Sequence, residues 1–192
     1  TVASFADLGY QVDYSVAEAY GLNSIVSALS SAYVGGDLGI LGVSANDRYM
    51  YVGGSQRDDQ LSGGNRNDYL AGLQGHDVIT TGAGNDKVLL SLPTSAPEID
   101  AITDFTPGAD TLLFDATSFV VLAAAVGSSG ISQGNFVLGN HALDADDYLL
   151  YDTESKTLYY DADGSGAAVA QAIAVIELAG SSPLSWLDLM VA

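Results

Sequence analysis

From Gly54 to Leu89 the chain repeats every nine residues: GSQRDDQLS, GGNRNDYLA, GLQGHDVIT, TGAGNDKVL. The sixth place is always aspartate: Asp59, Asp68, Asp77 and Asp86. The eighth is always aliphatic: Leu61, Leu70, Ile79 and Val88. Glycine fills much of the first four places, as Gly54, Gly63, Gly64, Gly72, Gly75, Gly82 and Gly84. A unit this short cannot bury an apolar face alone, so its copies must stack on one another. A looser copy, GVSANDRYM (42–50), places Asp47 sixth and Tyr49 eighth. It stands twelve residues before the next copy, three out of register.

Six turn residues followed by a three-residue strand make half a coil, and two copies make a full coil of eighteen. The eighth residue then points inward, and glycine supplies the positive φ and close backbone approach of the turns. Coils lie about 4.8 Å apart, the ordinary strand spacing. Asp59 therefore falls over Asp77, and Asp68 over Asp86. At roughly 4–5 Å and an effective dielectric of about 20, each stacked pair costs on the order of 3–4 kcal/mol before screening. A cation between them removes that cost. Calcium fits, because it takes six to eight oxygens, accepts backbone carbonyls and tolerates irregular geometry. Metal affinity then becomes folding energy. The opposing reading, a glycine-and-aspartate turn region without metal, leaves the four in-register aspartates unexplained.

The charge agrees. Among 192 residues, 24 are acidic and 5 basic, for a net charge of −19. Of the acids, 20 are aspartate and 4 glutamate, a bias toward turns and oxygen ligation rather than helix. Yet 48% of residues are hydrophobic, with eleven Tyr, five Phe and one Trp, so the acid sits on a folded core rather than a disordered tail. Nucleic acid and anionic membrane are disfavoured partners on charge. Cysteine is absent, which excludes disulfides and thiolate metal sites and leaves metal ions as fasteners. No Lys/Arg-flanked apolar segment opens the chain, so no ordinary signal peptide is expected. The longest apolar run, Phe119 to Gly127, is too short to span a bilayer.

Outside the repeats, residues 15–33 carry apolar positions at helical spacing (Val16, Tyr20, Leu22, Ile25, Val26, Leu29). After 99, short β-type runs alternate with turns: IDAITDF, DTLLFD, NFVLG, DYLLYD, TLYYD and IAVIEL. Residues 116–127 suit a short helix, and 167–178 suit either a strand or a helix. The expected fold is mainly β: a short parallel β-roll, extended by a β-sandwich-like C-terminal unit, with one or two N-terminal helices. The expected divisions are 1–41, a helical segment trailing an upstream domain; 42–91, the roll; and 92–192, the C-terminal β unit.

Residues 54–89 resemble the RTX, or haemolysin-type, calcium-binding repeat, whose consensus is G-G-x-G-x-D-x-U-x. This is a match to a known pattern. Arg57 and Arg66 depart from it at the fourth place, Ser55 and Leu73 at the second. The resemblance implies Ca²⁺ held by Asp59, Asp68, Asp77 and Asp86, with Asn67 and Asn85 and the carbonyl-bearing turn glycines Gly63, Gly64, Gly72, Gly75, Gly82 and Gly84. The GLQGHD and TGAGND turns match best. EIDAITDFTPGADTLLFD (98–115) resembles the unit following the repeats in serralysin-type C-terminal domains. DDYLLYDTESKTLYYDADGSG (146–166) resembles a hairpin unit of secreted RTX proteins. SPLSWLDLMVA (182–192) is similar to uncleaved C-terminal signals read by type I secretion machinery. TVASFADLGYQVDYS (1–15) resembles the segment closing leishmanolysin-like zinc peptidase domains, but H-E-x-x-H does not occur.

Two further acidic features each have two readings. Asp161 and Asp163, in DADGSG (161–166), form a calcium loop or a β-turn with solvated carboxylates. Asp100 and Asp104 complete the last coil's half-site or cap a strand. His76, in the variable fifth place, suits an exposed turn. Ser24, Ser27 and Ser30 have no evident catalytic partners. The functional expectation is a non-catalytic, calcium-binding module that folds after type I secretion, outside the cell or at its surface. Its expected partners are calcium ions and the secretion machinery, with no nucleic acid and no membrane insertion. The rivals are a calcium-stabilised structural or adhesive subunit that self-assembles, and the residual tail of a secreted zinc peptidase.

Overall fold

A computed structural model of the chain describes residues 39–40, 50–92 and 99–192. The chain divides into two compact units, Thr1–Gly36 and Asp37–Ala192, and every described residue belongs to the second. The helix expected over 15–33, the peptidase-like stretch 1–15, the serines at 24, 27 and 30, and Asp47 lie outside the described residues.

Glycine-rich turns separate short strands: β1 (Gly39–Ile40), β2 (Met50–Gly53), β3 (Gln60–Ser62), β4 (Asp68–Ala71), β5 (Val78–Thr80) and β6 (Lys87–Leu90). From β2 on, successive strands go to opposite sheets. Each pairs in parallel with the strand two along, with Leu61 opposite Ile79 and Leu70 opposite Val88. That is the eighteen-residue coil. The eighth-place side chains line its interior, and Leu61, Leu70, Ile79 and Val88 are at most 2% exposed. Burying each contributes about 1.5–3 kcal/mol, which offsets the conformational entropy lost by glycine turns.

Strand β2 keeps the nine-residue register; of the looser copy at 42–50, only Met50 is among the described residues. Met50 pairs with Asp68 and Val52 with Leu70. Val52 joins the core, and Met50, opposite Asp68, occupies the aspartate position. Core continuity selects the register of this strand.

Coil stacking does not stop at residue 91. Strand β7 (Asp100–Phe105) lies parallel on β5, and β8 (Thr111–Phe114) on β6. The chain then forms a helix, α1 (Val120–Val126), inside the expected 116–127. Four strands follow in one sheet: β9 (Phe136–Leu138), β10 (Leu149–Asp152), β11 (Thr157–Tyr160) and β12 (Gln171–Leu178); β13 (Leu189–Val191) joins the other. Residues 171–178 are thus a strand, not a helix. One sheet runs β1-β2-β4-β6-β8-β13, the other β3-β5-β7-β12-β11-β10-β9. The roll therefore grades into a sandwich, with β12 parallel on β7 and β13 parallel on β8. Phe119 seals the junction, meeting Phe114 and Tyr160 edge-on at 5.2 and 5.1 Å between ring centroids. Among the described residues no helix is long and apolar enough to cross a membrane.

Candidate metal centre

The turns stack in two columns. Column one carries Asp59 and Asp77 and ends at Asp100. Column two carries Asp68 and Asp86 and ends at Asp110. In each, the aspartate of one coil accepts the backbone N–H of the aspartate below it. Asp59 N–H donates to Asp77 Oδ1 at 2.9 Å, and Asp77 N–H to Asp100 Oδ1 at 3.1 Å. Asp68 N–H donates to Asp86 Oδ1 at 2.8 Å, and Asp86 N–H to Asp110 Oδ1 at 3.1 Å. These bonds use one oxygen per carboxylate and hold the aspartates in rows.

Asp59 Oδ2 accepts Ser55 N–H at 2.6 Å and Ser55 Oγ at 2.8 Å, but the remaining oxygens of the three most buried aspartates find no donor. Asp68, Asp77 and Asp86 are 0% exposed. Asp68 Oδ1 and Oδ2, Asp77 Oδ2 and Asp86 Oδ2 are, among the described residues, the buried side-chain polar atoms without a hydrogen-bond partner. Burial pushes Asp77 up to about 7, the nearby Asp100, Asp59 and Asp58 charges add to the rise, and the Asp59 N–H opposes it. Burial likewise pushes Asp86 up to about 6, with Asp110, Asp68 and Asp104 adding. Asp68 is raised by burial, against a lowering by the Arg66 charge. A rise of Asp77 from 3.8 to about 7 means that charging it here costs on the order of 4 kcal/mol relative to water.

Glycines bring backbone oxygens to the same places. A Cβ on Gly63 would meet Thr81 O and Asp68 Oδ2, so carbonyl and carboxylate sit side by side there. A Cβ on Gly82 would strike Gly64 O; one on Gly72, the Asp77 carboxylate. Gly75 and Gly84 press on the carbonyls of Arg57 and Arg66. Among the described residues no three carboxylate or imidazole side chains converge on one point. An ion in either column would therefore rest on two carboxylates and on carbonyls, a hard, oxygen-only donor set suited to calcium. The residues fit that ion.

Of the departures from the repeat pattern, those at the fourth place carry no left-handed backbone. Arg57 and Arg66 are exposed, and neither needs positive φ. Asn67 Oδ1 accepts Asn85 N–H at 2.9 Å, and Asp58 Oδ1 accepts the N–H of exposed His76 at 2.9 Å. Fifth-place side chains thus tie one turn to the next. Leu73 adopts φ +77, the left-handed region that glycine favours.

Asp104 and Asp110 extend the centre. Asp104 Oδ1 accepts Thr81 N–H at 2.7 Å and Asp104 Oδ2 accepts Gly82 N–H at 2.9 Å. Buried Thr81 Oγ1 reaches both Asp104 Oδ1 and Asp110 Oδ2, at 3.0 and 3.1 Å. Asp110 was missed in the sequence because it stands 24 residues after Asp86 rather than 18. Its signal is Asp110-Thr111-Leu112, the same aspartate-x-aliphatic triplet as in the repeats, and Asp100-Ala101-Ile102 is another.

Asp161 and Asp163 lie elsewhere, after β11, two strands from β7 in the sheet order. Asp161 is buried and its carboxyl raised by burial. Asp161 Oδ1 accepts Asp163 N–H at 3.3 Å, and Asp163 Oδ2 accepts Ala168 N–H at 3.1 Å. Gly164 packs on the Asp144 and Ala145 carbonyls, and Ser165 N–H donates to Asp144 O at 2.8 Å. The Asp161 and Asp163 oxygens thus tie their own loop, and the Asp144 carbonyl ties it to the loop before β10.

Residues 53–88 match the family model described as the RTX calcium-binding nonapeptide repeat, in four copies. Residues 53–88, which carry Asp59, Asp68, Asp77 and Asp86, are therefore calcium-binding repeats of the RTX type. Among solved structures, the chain is similar to a subunit of the Azotobacter vinelandii mannuronan C5-epimerase determined in solution. Identity is 22%, over 81% of this chain and 86% of that one, with a TM-score of 0.24. No curated protein matches the chain.

Proposed function

We propose that this chain is a calcium-responsive folding module of a secreted protein, without catalysis of its own. The observation that carries the reading is the set of four buried, partnerless oxygens on Asp68, Asp77 and Asp86. Column two would hold calcium by Asp68 and Asp86 with the Thr81 and Gly64 carbonyls. Column one would use Asp59 and Asp77 with the Gly72 carbonyl. Asn67 and Asn85 serve as turn ties. Calcium supplies two positive charges and a flexible oxygen shell.

At low free calcium, as in a cytosol, the rows stay charged and repel, and the coils stay open. In calcium the charges are compensated, the eighth-place residues stack, and β12 and β13 pack on the completed coils. Such behaviour suits export of an unwound chain through type I machinery followed by folding outside, and the resemblance of residues 182–192 to type I signals supports this. The test is calcium titration of EDTA-stripped protein followed by far-UV circular dichroism, with magnesium as control. A cooperative gain of β signal in calcium alone is expected. A protein equally folded in EDTA and in calcium would refute the coupling.

A further inference from the structure

At Gly54 and at Gly63, the first places of two successive repeats, the same two kinds of oxygen meet. A Cβ on Gly54 would touch Gly72 O and Asp59 Oδ2; one on Gly63 would touch Thr81 O and Asp68 Oδ2. Each place sets a repeat's own aspartate beside a carbonyl of the turn stacked above it. The first such half-site lies in column one, the second in column two. They differ in what the carboxylate already holds. Asp68 Oδ1 and Oδ2 are both buried without a partner. Asp59 Oδ2 instead accepts Ser55 N–H at 2.6 Å and Ser55 Oγ at 2.8 Å. A carboxylate oxygen has two lone-pair directions, so these two donors fill the directions an ion would use. Hydrogen bonds to an ionised acceptor are also the strong ones. Ser55 holds the second place of its repeat, where Gly64, Leu73 and Gly82 have φ of +104, +77 and +90. Ser55 takes no positive φ, and in that backbone its N–H faces its own aspartate.

We propose that Ser55 stands in for a calcium ion on Asp59, so that the two half-sites fill in order: the one at Gly63 first, the one at Gly54 only at higher calcium. The proposal rests on the calcium-folding reading above. An ion at Gly54 must displace two hydrogen bonds from a charged oxygen. An ion at Gly63 displaces none and gives two partnerless oxygens a partner. Asp59 is half-buried and Asp68 fully buried, so the uncompensated charge that an ion relieves is also costlier on Asp68. The turn 54–59 is thus closed by its own groups, and it presents a finished edge to the turn above. Gln74 N–H donates to Ser55 O at 3.3 Å, and Asp59 N–H to Asp77 Oδ1 at 2.9 Å. The roll winds from a turn that needs no ion of its own.

The experiment titrates calcium into the EDTA-stripped full chain of wild type, Ser55→Gly and Ser55→Ala, following backbone amide shifts by NMR. Gly63, Gly64 and Thr81 report the column-two half-site; Gly54, Gly72 and the amide at position 55 report the other. In wild type the Gly54 group should saturate at about tenfold higher calcium than the Gly63 group, the equivalent of one hydrogen bond to a charged group. Ser55→Gly removes the hydroxyl and admits the left-handed backbone of the other repeats. Its gap should close to within about twofold, since the two donors no longer compete. Ser55→Ala keeps the N–H and loses only Oγ, so its gap should lie between; it carries the comparison should the glycine variant lose the turn. Both groups moving at one midpoint in wild type, or a gap unchanged or wider in Ser55→Gly, overturns the proposal and leaves the calcium reading standing. A wild type whose amides ignore calcium in both groups sinks the calcium reading itself, and the proposal with it.

Discussion

The backbone N–H of Asp68 donates to Asp86 Oδ1 at 2.8 Å, and the other oxygen of Asp86 is buried without a partner. One atom of the carboxylate builds the column and the other carries uncompensated charge. Asp86→Asn separates the two roles. It keeps an oxygen for Asp68 N–H, removes the charge, and turns an amide donor toward the acidic surroundings of Asp68 and Asp110. Removing a buried unpaired charge should stabilise the calcium-free fold by about 1–3 kcal/mol. In saturating calcium the order should reverse, because a ligand charge is gone. Urea unfolding in EDTA and in calcium reads both. A variant weaker than its parent in EDTA would contradict the account.

The raised carboxyls give the calcium-free protein an unusual pH response. Asp77, at about 7 in the fold against 3.8, and Asp86, at about 6, bind protons more tightly folded than unfolded. Stability then falls as pH rises, because the native state holds more protons in that window. From pH 4 to about 7 the penalty of charging these groups grows, and above about 7 it is fully present. Acidifying calcium-free protein from pH 8 to pH 5 should therefore raise its thermal midpoint and its β signal. Over the same range calcium affinity should weaken, since binding must displace protons. A calcium-free midpoint that drops steadily on acidification below pH 7 would contradict the burial of these carboxylates.

Much of this was legible because the repeat is periodic in the two properties that matter. Asp59, Asp68, Asp77 and Asp86 recur at the spacing that stacks charge, and Leu61, Leu70, Ile79 and Val88 at the spacing that stacks core. The coils built on Asp100 and Asp110 were harder. Their turns differ in length from the repeat, so the period breaks while the strand register survives. Register there is set by parallel pairing and by burial of Ile102 and Leu112, long-range effects that a nine-residue window cannot see. Met50 in an aspartate position shows the converse, since a strand can join the sheet where the ligand is missing. The hydrogen bond from Gly108 N–H to Asp188 Oδ1 spans 80 residues, and no local pattern marks it.

The second place of the repeat offers a test that leaves the ligands alone. Gly64 and Gly82 have φ of +104 and +90 there, and Leu73 has φ +77. A left-handed conformation costs a residue bearing Cβ about 1–2 kcal/mol. Glycine loses more entropy on folding, by about 0.5–1 kcal/mol, so the two effects partly cancel. Leu73→Gly should therefore stabilise the calcium-loaded protein by up to about 1 kcal/mol. That is a rise of roughly 2–4 °C in thermal midpoint for a domain of this size. Leu73 is half-buried, so lost packing could only reduce the gain. The neighbouring Gly72→Ala makes the opposite test. Its Cβ would enter the Asp77 carboxylate, and overpacking of this kind costs about 1–3 kcal/mol. Thermal unfolding in saturating calcium compares the two. A midpoint lowered by Leu73→Gly would mean that packing of Leu73 outweighs its backbone strain. A midpoint unmoved by Gly72→Ala would mean that Asp77 is free to shift, which its buried, partnerless oxygen argues against.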